Sequence, residues 1–159
     1  MDGNVIGQES IERIIMEVLR ERLGADAADG MLKKQSDADE ADGVLKRAVP
    51  RISVRPQDRL DTGHAGDSVY TRDLFSLTES PRLGCGIMEM EKTTFDWNLD
   101  YDEMDYVIDG KLTIIKNGKS VTAGPGELIF IPKGSAIQFS VPGKARFLYV
   151  TYPADWAGQ

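Results

Sequence analysis

The sequence predicts an all-β barrel or jelly roll carried behind one amphipathic helix and a polar linker. From Ile52 onward apolar runs are short and are broken by turn residues at Asp109-Gly110, Asn117-Gly118, Gly124-Pro125-Gly126, Pro132-Lys133-Gly134 and Pro142-Gly143. Turn signals about every eight residues suit strands rather than helices. Asn117-Gly118 favours the primed turns that match strand twist, so Lys111–Lys116 and Lys119–Ala123 form a hairpin. Around Ile137 the alternation is strict, with Ile137, Phe139 and Val141 on one face and Ala136, Gln138 and Ser140 on the other. Further strands are expected at Ile52–Val54, Val69–Phe75, Gly86–Glu91, Met104–Ile108, Glu127–Ile131, Ile137–Val141 and Arg146–Tyr152.

The front of the chain differs. Ile11, Ile14, Ile15, Val18, Leu19 and Leu23 recur at spacings of three and four, with charged residues between them, and Ser10 and Gly24 offer a cap and a stop. This predicts a helix within residues 1–24. Residues 25–48 turn to Ala, Asp, Gly, Lys and Ser, too few large apolar groups to offset the entropy of ordering, and read as a flexible linker with weak helical signals near Met31–Lys34 and Val44–Lys46. Residues 49–159 form the β domain. The helix either packs back on that domain or presents its apolar stripe to a partner. In the second case it resembles the encapsulation peptides that direct cargo into bacterial microcompartments, so that residues 10–23 would contact shell or cargo proteins.

A chain of 159 residues has room for one domain and an appendage. Its 19 basic and 26 acidic residues leave a formal charge of −7, which argues against nucleic acid or an anionic membrane as partner, since both require a cationic surface. Small molecules or proteins are expected instead. Cys85 is the single cysteine, excluding an internal disulfide, and beside Gly84 and Gly86 it reads as a small buried hydrophobe. Met1–Ser10 lacks the features of a signal peptide, and no stretch approaches the ~20 apolar residues of a membrane span, so a soluble cytoplasmic protein is expected.

Two spacings identify the barrel more closely. Six residues separate Glu103 from Gly110, and five separate Gly126 from Pro132-Lys133-Gly134. These resemble the end of the first and the core of the second motif of the cupin family, which implies a cupin-type β-barrel. Metal-dependent cupins carry His-x-His shortly before the Glu and a further His in the second motif. Here those places hold Asp96 to Leu99, with Trp97 among them, and Ile137. None offers the imidazole lone pair that a transition metal requires.

Trp97-Asn98-Leu99-Asp100-Tyr101-Asp102-Glu103, Val107-Ile108-Asp109-Gly110, Ile131-Pro132-Lys133-Gly134-Ser135, Arg146 to Val150 and Pro153-Ala154-Asp155-Trp156 closely resemble the ethanolamine utilisation proteins of the Q type. The resemblance runs from Ser80 to Trp156. It implies an atypical or metal-free cupin, encoded with proteins that process ethanolamine inside a bacterial microcompartment and associated with acetate kinase activity.

The facing of the acids is contested within the sequence. Alternation groups Glu103, Asp105, Val107 and Asp109 against Met104, Tyr106 and Ile108, which by polarity alone turns the acids outward. The cupin motif turns Glu103 inward and Asp105 with it. Met104, Tyr106 and Ile108 must then be covered from outside, which predicts a homodimer. Two buried carboxylates cost several kcal/mol unless bonded, paired or protonated, and their mutual repulsion raises one pKa toward neutrality. The candidate catalytic groups are Glu103, Asp105 and Tyr101, and the candidate substrate-binding residues are Trp97, Lys133, Ile137 and Phe139; the alternative is a solvated or purely structural acid set.

Asp96, Asp100, Asp102, Glu103, Asp105 and Asp109 could instead hold a hard cation such as Mg2+, although such acidic runs are more often solvated rims. No protein-ligated metal and no bound cofactor are expected. His64 lies in a small-residue stretch and reads as an exposed loop residue, while Lys133 and Arg146 are either solvated or rim cations for an anionic ligand. Phosphoryl transfer would need Mg2+ with ATP, and the chain has no Gly-x4-Gly-Lys-Ser/Thr loop. An auxiliary cupin that binds a small molecule is therefore the leading expectation, with an acetate kinase-type enzyme as the alternative.

Overall fold

Asn117 and Gly118 take φ values of 51° and 72°, the left-handed pair of a primed turn, and join β6 (Leu112–Lys116) to β7 (Lys119–Ala123) in register from Leu112↔Ala123 to Lys116↔Lys119. That hairpin belongs to a seven-stranded assembly in a computed structural model that describes residues 40–156. The helix expected at Ser10–Leu23 and the turn at Met31–Lys34 lie outside the described residues.

The described residues fall into two units, one ending at Val49 and the other starting at Pro50. In the first, β1 (Glu40–Ala41) pairs with β2 (Val44–Leu45) across Asp42 and Gly43, both at positive φ. The helical turn expected near Val44 is thus a hairpin strand, because Asp-Gly favours a primed turn over a helix.

In the second unit the strands are β3 (Ser68–Asp73), β4 (Gly84–Leu99), β5 (Asp102–Gly110), β6, β7, β8 (Leu128–Ile131) and β9 (Ser135–Tyr152). All pairings are antiparallel, in the order β3-β4-β9-β5-β8, with β6 and β7 attached through β9. Two strands are long enough to serve both halves of the barrel. β4 and β9 pair with each other along their whole length; toward Gly84 and Tyr152 they also pair with β3 and β5 respectively, and the other half of β9 also pairs with β6.

Two strand expectations are corrected. Ile137–Val141 and Arg146–Tyr152 are one strand: Pro142 and Gly143 fall opposite Lys92, at a register shift between Glu91 and Thr93, where Lys92 takes φ 46°. Proline is tolerated at such a bulge because no ladder bond is needed from its nitrogen. Ile52–Val54 is not a strand. Its carbonyls are taken by side chains instead, Arg146 donating to Ile52 O at 2.6 Å and Arg72 to Ser53 O at 2.7 Å.

Apolar side chains that alternate along these strands fill the barrel. Val69, Leu112, Val107, Phe139 and Phe147 are all at most 1% exposed, and Phe139 stacks between Phe95 and Phe147 at ring distances of 5.4 and 6.4 Å. Each such burial contributes about 1.5–3 kcal/mol. Gly110 is required for two reasons: its φ is +79°, and a Cβ there would drive into the carbonyl of Lys144. The motif glycine thus marks the point where β5 leaves β9.

Candidate functional site

β5 decides the facing of the acids. Glu103, Asp105 and Val107 point into the barrel, with Asp105 completely buried, whereas Met104 and Tyr106 on the opposite face are exposed. The cupin motif therefore predicts orientation correctly where the polarity of the alternation does not. Glu103 is opposite Thr151 on β9 and Ile131 on β8, and Asp105 is opposite Tyr149 and Ile129.

Glu103 opens onto a pocket of about 270 Å³ whose free space narrows to little more than one water-sized group. Phe95, Trp97, Tyr101, Phe139, Tyr149, Thr151 and Trp156 complete most of its wall, with Leu60 and Met88. Trp97 and Tyr101 are fixed by a bond from the indole N–H to the phenol oxygen at 2.8 Å. Trp156 closes the aromatic side, 6.4 Å from Trp97, 6.0 Å from Tyr101 and 6.0 Å from Tyr149 between ring centres.

Four oxygens in this region are buried without a hydrogen-bond partner: Glu103 Oε1, both carboxylate oxygens of Asp105, and Thr151 Oγ1. Burial pushes Glu103 up to about 7, against opposing contributions from Asp105 and Tyr101. Asp105 is raised well above the ordinary carboxylate range, by burial first and then by the Glu103 charge. When both are ionised they offer acceptors and no donor. A single proton held between them makes one a donor to the other, so the two titrate together, above the ordinary carboxylate range. Burial likewise pushes the Tyr101 and Tyr149 phenols up, keeping both neutral.

Of the expected site residues, Glu103, Tyr101, Trp97 and Phe139 line the pocket, and Asp105 lies on the same inward face of β5. Ile137 is buried opposite Trp97 but lines a different groove, beside Ile129 and Ile131. Lys133 is exposed at the β8–β9 turn, where its backbone N–H donates to Asp102 at 2.8 Å, and it does not line the pocket. Arg146 is engaged by Glu89 and the Ile52 carbonyl. His64 is exposed in a loop, and Cys85 is half-buried rather than fully buried, its thiol pushed up by burial.

Tyr149, Thr151, Phe95 and Trp156 are site residues that the sequence reading misses. The alternation through Ile137 and Phe139 continues to Phe147, Tyr149 and Thr151, and following it across the bulge finds the last two. The glycines add a second signal. A Cβ at Gly86 would collide with the Tyr149 hydroxyl and one at Gly84 with Thr151 Oγ1. The Tyr149 hydroxyl donates to Asp73 at 2.6 Å.

The donor set does not fit the transition-metal centre of other cupins. At the histidine places Trp97 has no free lone pair and Ile137 has none at all. The acids do not converge either: Glu103 and Asp105 face inward, Asp96, Asp100 and Asp109 are exposed, and no group of three potential ligands forms among the described residues. No helix among the described residues is long and apolar enough to cross a membrane.

The family described as Ethanolamine utilisation protein EutQ matches residues 6–158. A curated relative from Clostridioides difficile strain 630, named Acetate kinase EutQ, is 54% identical over 161 aligned positions covering 100% of this chain and 99% of its own. The solved structure of the Clostridium difficile EutQ protein is 64% identical over 76% of this chain and 88% of that one, with a TM-score of 0.74. The cupin domain of Schizosaccharomyces pombe Cnp3 shares the fold alone, at 15% identity, 69% and 70% coverage and a TM-score of 0.54. Full-length agreement with the family, together with a cupin barrel that has Trp97 and Ile137 at the histidine places, means that this chain belongs to the ethanolamine utilisation protein EutQ family.

Proposed function

We propose that the protein is a small-molecule-binding cupin of ethanolamine utilisation, and that its ligand enters the barrel beside the Glu103–Asp105 pair. The observation that carries this reading is that Glu103 Oε1 and Thr151 Oγ1, both buried and without a partner, belong to residues that line an aromatic pocket. Leaving buried acceptors unsatisfied costs free energy that a donor-bearing ligand recovers. Tyr101 and Trp97 position the wall. The proton shared by the acids is also available for acid–base chemistry on whatever occupies the pocket.

The second reading is phosphoryl transfer, favoured by the name of the 54% identical relative. It meets a physical objection at this pocket. Acetate and the phosphates of ATP are anions, and the pocket offers them no cationic side chain, while Glu103 repels them once it is ionised. Mg2+ carried by the nucleotide is the one feature that reverses the sign. In an assay with acetate, ATP and Mg2+, any acetyl phosphate formation is expected to change by less than about twofold in Glu103→Gln. A loss of tenfold or more, with the variant folded, assigns phosphoryl transfer to this site.

A homodimer and a microcompartment location belong to the same proposal. Residues 10–23, the segment that would contact shell or cargo proteins, lie outside the described residues. For the dimer, Met104 pairs with Phe130 and Tyr106 with Leu128 across β5 and β8, and all four are 44–58% exposed on the outer face. Contiguous apolar surface of this kind favours association. The chain is expected to sediment as a dimer, and Phe130→Glu with Met104→Lys to sediment as a folded monomer. Monomeric wild-type protein at micromolar concentration sinks that reading.

A further inference from the structure

The unpartnered oxygens say what is missing from the pocket. Glu103 Oε1 and Thr151 Oγ1 are buried, line the pocket and have no hydrogen-bond partner. In its ionised form Glu103 only accepts, so a species bound to that form must donate to it. The indole N–H of Trp97 is already given to Tyr101, which leaves a bound anion only the neutral hydroxyls of Tyr101 and Thr151. No Lys, Arg or His lines the pocket. Around the same point stand Trp97, Tyr101 and Trp156, with ring centres 6.0 to 6.4 Å from Trp156, and aromatic surroundings attract cations.

Size narrows the choice further. The free space accepts about one water-sized group, which matches an –NH3+ head and is too small for a trimethylammonium head. We infer that the pocket binds the head of a small primary alkylammonium ion, amino alcohols included, which donates to Glu103 and Thr151. This rests on the barrel pocket being the ligand site and adds the class of ligand.

The charges facing Glu103 set the pH dependence. They are Asp105 on its own strand, Tyr101 before that strand and Tyr149 on β9, and both phenols stay neutral. A cation is therefore held by ionised Glu103, and binding below neutrality displaces a proton. Affinity should rise with pH, up to tenfold per pH unit while the pair is protonated, and level off above it.

Trp97 and Trp156 are the only two tryptophans in the chain, and both face the pocket, so intrinsic fluorescence reports its occupancy. The full chain is titrated with ethanolammonium, ethylammonium, choline and acetate at about pH 6 and about pH 8, with calorimetry alongside. Both primary ammonium ions are expected to bind, at least tenfold more tightly at the higher pH, and choline and acetate at least tenfold more weakly. Glu103→Gln is expected to lose at least tenfold in affinity and Thr151→Val several-fold, with unchanged circular dichroism. Acetate or choline binding more tightly than the primary amines, in a Glu103-dependent way, overturns the ligand class and leaves the pocket as the ligand site. Amine binding unaffected by both Glu103→Gln and Thr151→Val, or no binding by any of the four, overturns the inference together with the pocket assignment.

Discussion

Raising the pH from about 5 to about 8 is expected to weaken the folded barrel by on the order of 3 kcal/mol through Glu103 alone, and Glu103→Gln with Asp105→Asn to remove most of that slope. In the unfolded chain Glu103 returns to its ordinary value of 4.5, while in the barrel burial pushes it up to about 7. Between those values the folded state holds more protons than the unfolded one, so stability falls as pH rises. The contribution is fully present below about pH 4.5 and lost as pH passes about 7. At about 1.4 kcal/mol for each pH unit, the gap is worth about 3 kcal/mol. Asp105 is raised in the same direction and extends the decline upward. In the double amide the side chains can bond to each other without a proton, so it should be the more stable protein at about pH 8. Denaturant unfolding across the range measures both curves, and parallel curves would falsify the shared-proton account.

Phe139→Ala is expected to cost about 3–5 kcal/mol, and Phe139→Leu much less. Phe139 is 1% exposed and stacked between Phe95 and Phe147, so truncation leaves a void bounded by two rigid rings from different strands. The pocket loses one wall at the same time. Thermal unfolding monitored by circular dichroism gives the stability change. A loss below about 1 kcal/mol would mean that the barrel closes over the gap, and that Phe139 serves the ligand more than the core.

How much of the fold and of the site is legible in the sequence depends on the kind of signal. Turn chemistry placed the β6–β7 hairpin, since Asn117-Gly118 acts locally. Pro142-Gly143 misled for the same reason: a local turn signal cannot tell a reversal from a bulge, and only the partner strand, with Lys92 opposite, distinguishes them. Ile52–Val54 has strand-forming residues but no strand to pair with. The acids show the deeper limit. Polarity assigns the apolar face of β5 to the interior, whereas here Met104 and Tyr106 are outside and Glu103 and Asp105 inside. The family motif carries that information because it fixes the inward facing of its Glu regardless of the polarity of the neighbours. Tyr149, Thr151 and Trp156 reach Glu103 from about fifty residues away only through strand register, which no window of sequence contains. Lys133, chosen for its charge beside the motif, is kept at the turn by the backbone bond to Asp102.

The bulge at Lys92 opposite Pro142 and Gly143 has a consequence for how the barrel comes apart. Because β4 and β9 run uninterrupted through it, each half of the barrel is built from the same two stretches of backbone as the other. Melting the half that holds β6 and β7 would free the ends of the strands that carry Tyr149 and Thr151, and melting the other half would release the support of Phe139. Local openings that spare one half are therefore costly, and the pocket at Glu103, whose walls come from both, shares the lifetime of the whole barrel rather than that of a loop.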